Sequence, residues 1–160
     1  MIRPYNEQDS EVVLDLWQRF DEVHIKEEPH MFRSPGSEER IARLEKYTRE
    51  KQCQEGSEPF LLVCDSGSRI NGFICGIIRE TPAAALLIPH RIVELHAIYV
   101  DPGFRSGRTS KNLVQTALSR AKNAGATSAV CHIWTFNKAA QKHITSLGFS
   151  VVSSKYEKKL

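Results

Sequence analysis

No CxxC pair occurs in the sequence, and no histidine stands at zinc-finger spacing from any of its four cysteines, Cys53, Cys64, Cys75 and Cys131. A finger-type zinc scaffold and a thioredoxin-like redox motif are therefore excluded, and no metal is expected. Cys64, Cys75 and Cys131 lie in strand-like apolar runs and read as small core residues. No apolar stretch reaches the ~20 residues of a membrane span, so no membrane partner is expected. The opening MIRPYNEQDS lacks the basic, apolar and small-residue regions of a signal peptide, which makes a cytoplasmic location the expectation. Repeats and low-complexity tracts are missing as well. The formal net charge of +3 is small and scattered, too little to argue for nucleic acid. The basic tail KYEKKL reads as a solvated end.

What is present fits one domain over residues 1–160, long enough to bury a core without disulfides. MIRPY reads as a short first strand. From Asp9 to about His24, apolar residues at Val12, Val13, Leu16, Trp17, Phe20 and Val23 make a one-sided helical stripe. EEPHMFRSPGS is a loop, and a second helix runs from Ser37 roughly to Lys51. PFLLVCD and INGFICGIIRE form a hairpin across SGSR. TPAAALLIPH is an apolar linker that either covers a sheet edge or lines a cleft. RIVELHAIYV is a long strand and TSKNLVQTALSRAKNAGA a helix stopped by Gly125. SAVCHIW is a strand, NKAAQKHITSLGF a helix with Asn137 as N-cap, and FSVVSSKYEKKL a last strand. Hairpins together with a crossover helix predict a mixed sheet, with one parallel pair joined right-handed.

The join between the long strand and the next helix, YVDPGFRSGRTS, draws attention. A helix N-terminus after a glycine-containing turn presents free N–H groups and the positive dipole end, a ready anion site. Arg105 and Arg108 flank the turn, with Ser106, Thr109 and Ser110 as hydroxyl donors. Two guanidiniums and several N–H groups suit a diphosphate. A capped helix with two solvated arginines is the plain alternative. Arginine at a helix start opposes the dipole preference for acids, which is unfavourable without an anion.

The segment from about Val93 to Phe149 resembles the GNAT superfamily of acyl-CoA-dependent N-acetyltransferases. YVDPGFRSGRTS covers the ground of that family's YVxPxYRGxGIG, and NKAAQKHITSLGF is similar to its NxxAxxFYxxxGF. The resemblance implies an α/β (α+β) single domain: a mixed six- or seven-stranded sheet, helices on both faces, and parallel strands 4 and 5 splayed around acetyl-CoA as cosubstrate. It implies cofactor contacts from Ile98, Tyr99 and Val100, from the loop residues Arg105, Ser106, Gly107, Arg108, Thr109 and Ser110, and from Asn137 and Ala140. FDEVHIKEEPHMFR is similar to the acceptor-side helix and loop of small-molecule members, which points to Phe20, His24, Glu28 and Phe32. The chain departs from the family at four places. Arg108 and Ser110 stand where loop glycines are usual, and His143 and Ile144 where the family has Phe and its general-acid Tyr.

Amide formation needs a neutral amine, and only about one in a few thousand lysine-like amines is neutral at pH 7. A base must take the proton. On the long strand Glu94, His96, Ile98 and Val100 alternate onto one face, with Leu95, Ala97 and Tyr99 on the other. Glu94 matches the general-base position of the histone-acetylating branch, and His96 an acidic position of several small-molecule members; either is a candidate catalytic residue. A glutamate serving near neutral pH needs burial to raise its pKa. Asp21, Glu22, Glu27 and Glu28 offer an acidic cluster for a polycation, or a solvated helix end. The expected activity is acetyl transfer to a small-molecule primary amine. A protein amino group and a catalytically weak acyl-CoA sensor are the alternatives, and a homodimer stays open.

Overall fold

The computed structural model describes residues 1–49, 56–84, 86–105 and 108–158. Cys53, Ser106 and Gly107, named above, lie outside the described residues, as does the expected end of the second helix at Lys51. The order is β1 (Ile2–Pro4), α1 (Ser10–Glu27), α2 (Ser37–Thr48), β2 (Glu58–Asp65), β3 (Ile70–Glu80), β4 (Arg91–Val100), α3 (Thr109–Asn123), β5 (Ser128–Cys131) and α4 (Lys138–Ser146). Single 3₁₀ turns precede α1 and follow β4.

The strands lie in sequence order in one five-stranded sheet, antiparallel from β1 to β4 and parallel between β4 and β5. β2 and β3 join through a tight turn in which Asp65 accepts from the N–H of Gly67 at 2.7 Å and Gly67 takes φ 86°. α1 and α2 cover one face, where Trp17, Tyr47, Phe73, Cys75, Ala97 and Tyr99 pack together. α3 covers the other, where Ile74, Ile78, Val93, Leu95, Leu113 and Val114 meet. Leu147 and Phe149, at the end of α4, pack on this second cluster.

Three expectations change. The sheet has five strands among the described residues, because residues 149–158 enter no ladder, and Val151 and Val152 stay 87% and 85% exposed. β5 offers only four residues to pair with, and Ser153, Ser154 and Lys155 bring no apolar face to bury. Among the described residues of the apolar linker between β3 and β4, Leu86 is 95% and Ile88 85% exposed, so these side chains cover no sheet edge, and none of the described linker residues lines the cleft of the candidate site. The linker's first and last residues are tied to each other, Thr81 N–H to His90 C=O at 2.9 Å, so the tip projects from the hairpin.

The third change concerns β4. Cys75 pairs with Ala97 and Gly76 with Leu95, so His96 has no partner and forms a β-bulge. Beyond it the alternation is inverted. Glu94 and His96 do share a face, but Ala97 and Tyr99 join them on the α1–α2 side, while Ile98 and Val100 turn to α3. Gly76 is required there, since a Cβ would collide with the Glu94 carbonyl oxygen and the Phe60 ring.

Candidate active site

Glu94 and His96 sit on the floor of a cleft of about 920 Å³ between α1, α2, β4 and β5. Arg79 holds the Glu94 carboxylate with two parallel bonds, Nε to Oε2 at 2.9 Å and Nη2 to Oε1 at 2.8 Å. β3 supplies this arginine from the diagonal position: Glu94 lies opposite Ile77, and Arg79 is two residues on, on the same face. Arg79 holds the Glu94 carboxyl below the usual carboxylate range, outweighing the opposing effect of burial. The expected upward shift of Glu94 is therefore not met. A carboxylate engaged at both oxygens by a guanidinium is a poor proton acceptor and a good fixed negative charge.

His96 has the opposite character. Its Nδ1 lies 2.8 Å from the Tyr47 hydroxyl, and its Nε2 faces Glu94 Oε2 at 3.6 Å. Burial lowers its pKa below the ordinary histidine value, so the ring is neutral at pH 7. Tyr47 is buried: burial, with Cys75 beside its hydroxyl, pushes its pKa up, so it remains a phenol. Burial pushes the Cys75 thiol up to about 12 and makes it inert. The Tyr47 hydroxyl can donate to the Cys75 sulfur while its oxygen accepts from His96 Nδ1–H, and in that tautomer the lone pair on His96 Nε2 is open to the cleft.

Next to this pair the sheet opens. β4 and β5 pair from Ile92–Ser128 to Leu95–Cys131, and β5 then ends while β4 runs on to Val100. Ile98, Tyr99 and Val100 therefore flank a gap on their β5 side, a place for an extended chain to pair. The gap leads to α3. Its N-cap is Arg108, whose guanidinium cannot accept a hydrogen bond, and its first turn has no acid, whereas α2 starts with Glu38 and Glu39. A helix start without acids keeps the positive end of its dipole uncompensated by side chains, which attracts anions.

The other expected binding residues fall around the opening. Arg105 turns back to the end of β4, its Nε donating to the Val100 carbonyl at 2.8 Å and its guanidinium over the Tyr99 ring. Thr109 and Ser110 start α3, and Ser110 Oγ meets His143 Nε2 at 2.8 Å, which ties α3 to α4. Asn137 caps α4 by accepting from the Ala140 N–H at 3.0 Å. Ile144, in the family's general-acid position, is buried and faces no solvent.

Of the expected acceptor residues, Phe20, His24 and Phe32 line the cleft; Glu28 does not and instead caps α1 through its backbone. Asp21, from the acidic cluster, is held by Arg43 at 2.9 and 2.6 Å. Sequence reasoning missed Tyr47, Arg79, Arg43, His132 and Trp134. HIWTF after β5 carried a signal in its alternating aromatic rings; the arginines depended on a register that no local pattern shows.

Comparison with known proteins completes this description. The acetyltransferase (GNAT) family model matches residues 17–149. No curated protein sequence matches the chain. Among solved structures, a mutant of the BH1408 protein of Bacillus halodurans has a TM-score of 0.87 at 24% identity, over 100% of this chain and 99% of that one. A transcriptional regulator from Bacillus halodurans C-125 has a TM-score of 0.74 at 17% identity, over 100% and 99%. The aminoglycoside N-acetyltransferase AAC(6')-Iy, solved in complex with CoA, has a TM-score of 0.73 at 19% identity, over 100% and 93%. At these identities the likeness shows the fold.

Proposed function

The chain belongs to the acetyltransferase (GNAT) family, and on that premise we propose that it transfers an acetyl group from acetyl-CoA to the nitrogen of a small primary amine. The observation that carries this reading is the Glu94–His96 pair on the floor of a cleft, beside the point where β4 and β5 part. The positive start of α3 and the gap beside Ile98, Tyr99 and Val100 fit a diphosphate with an extended arm. Bound there, acetyl-CoA supplies a thioester carbonyl and a thiolate leaving group.

The residues of the chain divide the remaining work. His96 Nε2 takes the proton of the entering ammonium, in the tautomer whose Nδ1–H donates to the Tyr47 oxygen and whose Nε2 keeps its lone pair. Glu94, fixed by Arg79, offsets the charge that His96 then gains at 3.6 Å. Backbone N–H groups near Tyr99 or Val100 meet the charge developing on the carbonyl oxygen. A thiolate with a pKa of about 8.5, by analogy with cysteine, leaves readily, so a buried Ile144 in place of a tyrosine is tolerable. His143 and Ser110, joined at the mouth of the opening, adapt the altered loop.

The test is free-thiol release from acetyl-CoA with a panel of amines and a lysine peptide, with CoA affinity measured in parallel. Turnover that collapses in Glu94→Gln while CoA affinity persists supports the enzyme. CoA binding without thiol release on any amine sinks it in favour of an acyl-CoA sensor. No CoA binding refutes the diphosphate site at α3.

A further inference from the structure

Resting on that reading, we infer that the acceptor is a lipophilic amine with a single positive charge and an aromatic tail, held in a ring-lined pocket whose carboxylates are already neutralised. Two independent observations carry this. The first is the wall of the cleft. Phe20, His24, Phe32 and Trp134 meet in sequence, with ring centroids 4.7 Å apart for Phe20–His24, 5.4 Å for His24–Phe32 and 5.1 Å for Phe32–Trp134. His132 continues the row at 5.0 Å from Trp134, and the contact is edge-on. Such a row extends naturally to one more ring, and its faces attract a cation.

The second observation is the charge balance. The carboxylates lining the cleft are Asp21, Glu39 and Glu94. Each is gripped by its own arginine through two bonds: Asp21 by Arg43 at 2.9 and 2.6 Å, Glu39 by Arg33 at 2.9 and 2.6 Å, Glu94 by Arg79 at 2.9 and 2.8 Å. No lining carboxylate among the described residues is left for a second ammonium, and Arg33 and Arg43 line the same cleft. A polyamine or an aminoglycoside would bring further cations against these guanidiniums. A monoamine brings one, which loses its proton at His96. The neutral nitrogen then attacks the thioester carbon: the C–N bond forms, the C–S bond breaks, and CoA leaves as a thiolate that takes up the second proton the nitrogen sheds in becoming an amide.

The experiment uses the full chain with 2-phenylethylamine, tryptamine, spermidine and kanamycin, read both as thiol release and as amine binding by calorimetry. We expect kcat/KM for the two aryl amines to exceed that for spermidine and kanamycin by at least about tenfold, the factor that one or two such ring contacts supply. Trp134→Ala should raise KM for 2-phenylethylamine about tenfold with kcat nearly kept. Phe32→Leu, a milder change, should act in the same direction. Arg33→Gln, at an exposed side chain, should narrow the gap by favouring spermidine. Equal or tighter binding of spermidine or kanamycin overturns the inference, and so does aryl-amine binding indifferent to Trp134 and Phe32. Absence of thiol release with selective aryl-amine binding instead condemns the transfer reaction and leaves the pocket assignment standing; absence of both removes the pocket assignment.

Discussion

The face of the sheet under α3 and the face under α1 and α2 bury comparable apolar clusters, yet they differ in kind. Under α3 the packing is mostly aliphatic, with Ile74, Ile78, Leu113 and Val114 fully buried; among the described residues Phe60 is the one fully packed ring there, with Phe104 and Phe149 partly buried at its margin. Under α1 and α2 the core contains Trp17, Tyr47, Phe73 and Tyr99, and polar groups reach in among them. Arg43 stacks 4.7 Å over Trp17, and Tyr47 carries the bond to His96. Rings with polar ends can bury their bodies and still satisfy a polar neighbour, which aliphatic chains cannot do. The proposed chemistry therefore falls on the aromatic face, with the aliphatic face as its rigid backing.

The comparison can be attacked from both sides, beginning where the effect should be largest. His96→Gln should lower kcat by ~10²–10⁴ while CoA affinity, read by calorimetry, changes little. A loss of CoA affinity in step with turnover would move His96 out of the proposed role. On the opposite face, Leu113→Ala should cost about 2–5 kcal/mol in urea unfolding and leave the kcat of the remaining folded protein nearly intact. Tyr47→Phe removes the partner that orients His96; about 0.5–1.5 kcal/mol of stability should go with it, and kcat should fall by no more than about tenfold.

On the aromatic face, acid should act through His96 and Glu94. His96 has a folded pKa below its unfolded value, so its contribution to stability is complete above about 6.5 and is lost as pH falls through the lower folded value. Glu94 follows at lower pH: depressed by Arg79, it adds stability above the ordinary glutamate range that disappears as pH drops through its folded pKa. Unfolding curves from pH 8 to 3 should show both declines, and His96→Gln should abolish the first. The kcat profile should lose activity on the acid side with a midpoint below 6.5. The smallest effect belongs to the linker tip, where Leu86→Ser should stay within about 0.5 kcal/mol in the same assay.

Much of this was readable from local pattern. The bounds of β4 coincide with RIVELHAIYV because a largely apolar, β-branched run between Pro89 and Pro102 leaves a strand no other ends. Asn137 and Gly148 bracket α4 by cap chemistry, Gly148 with φ 92°. Glu94 and His96 were legible as candidates because two titratable residues stand out on such a strand. Their roles were not, because these depend on partners far along the chain: Arg79 on β3, Tyr47 on α2, Cys75 opposite Ala97. Arg105 was legible in the motif, whereas the bond that seats it, from its Nε to the Val100 carbonyl, was not. The last strand failed on a two-body condition, since strand propensity in FSVVSS needs an edge long enough to receive it.

The unpaired residue in β4 can be treated as a change of parity. Before His96 even-numbered positions face α1 and α2; after it odd-numbered positions do. Deleting that one residue would therefore remove the imidazole and the bulge together. Leu95 and Ala97 would become neighbours on opposite faces, so Ala97 and Tyr99 would stay with the rings and Ile98 and Val100 with the aliphatic side. A residue lost or gained elsewhere in β4 has the opposite result, because it exchanges the faces of everything between it and the strand end. Natural or laboratory variants of this chain should accordingly tolerate a change of length at position 96 better, in packing terms, than at any other position of β4.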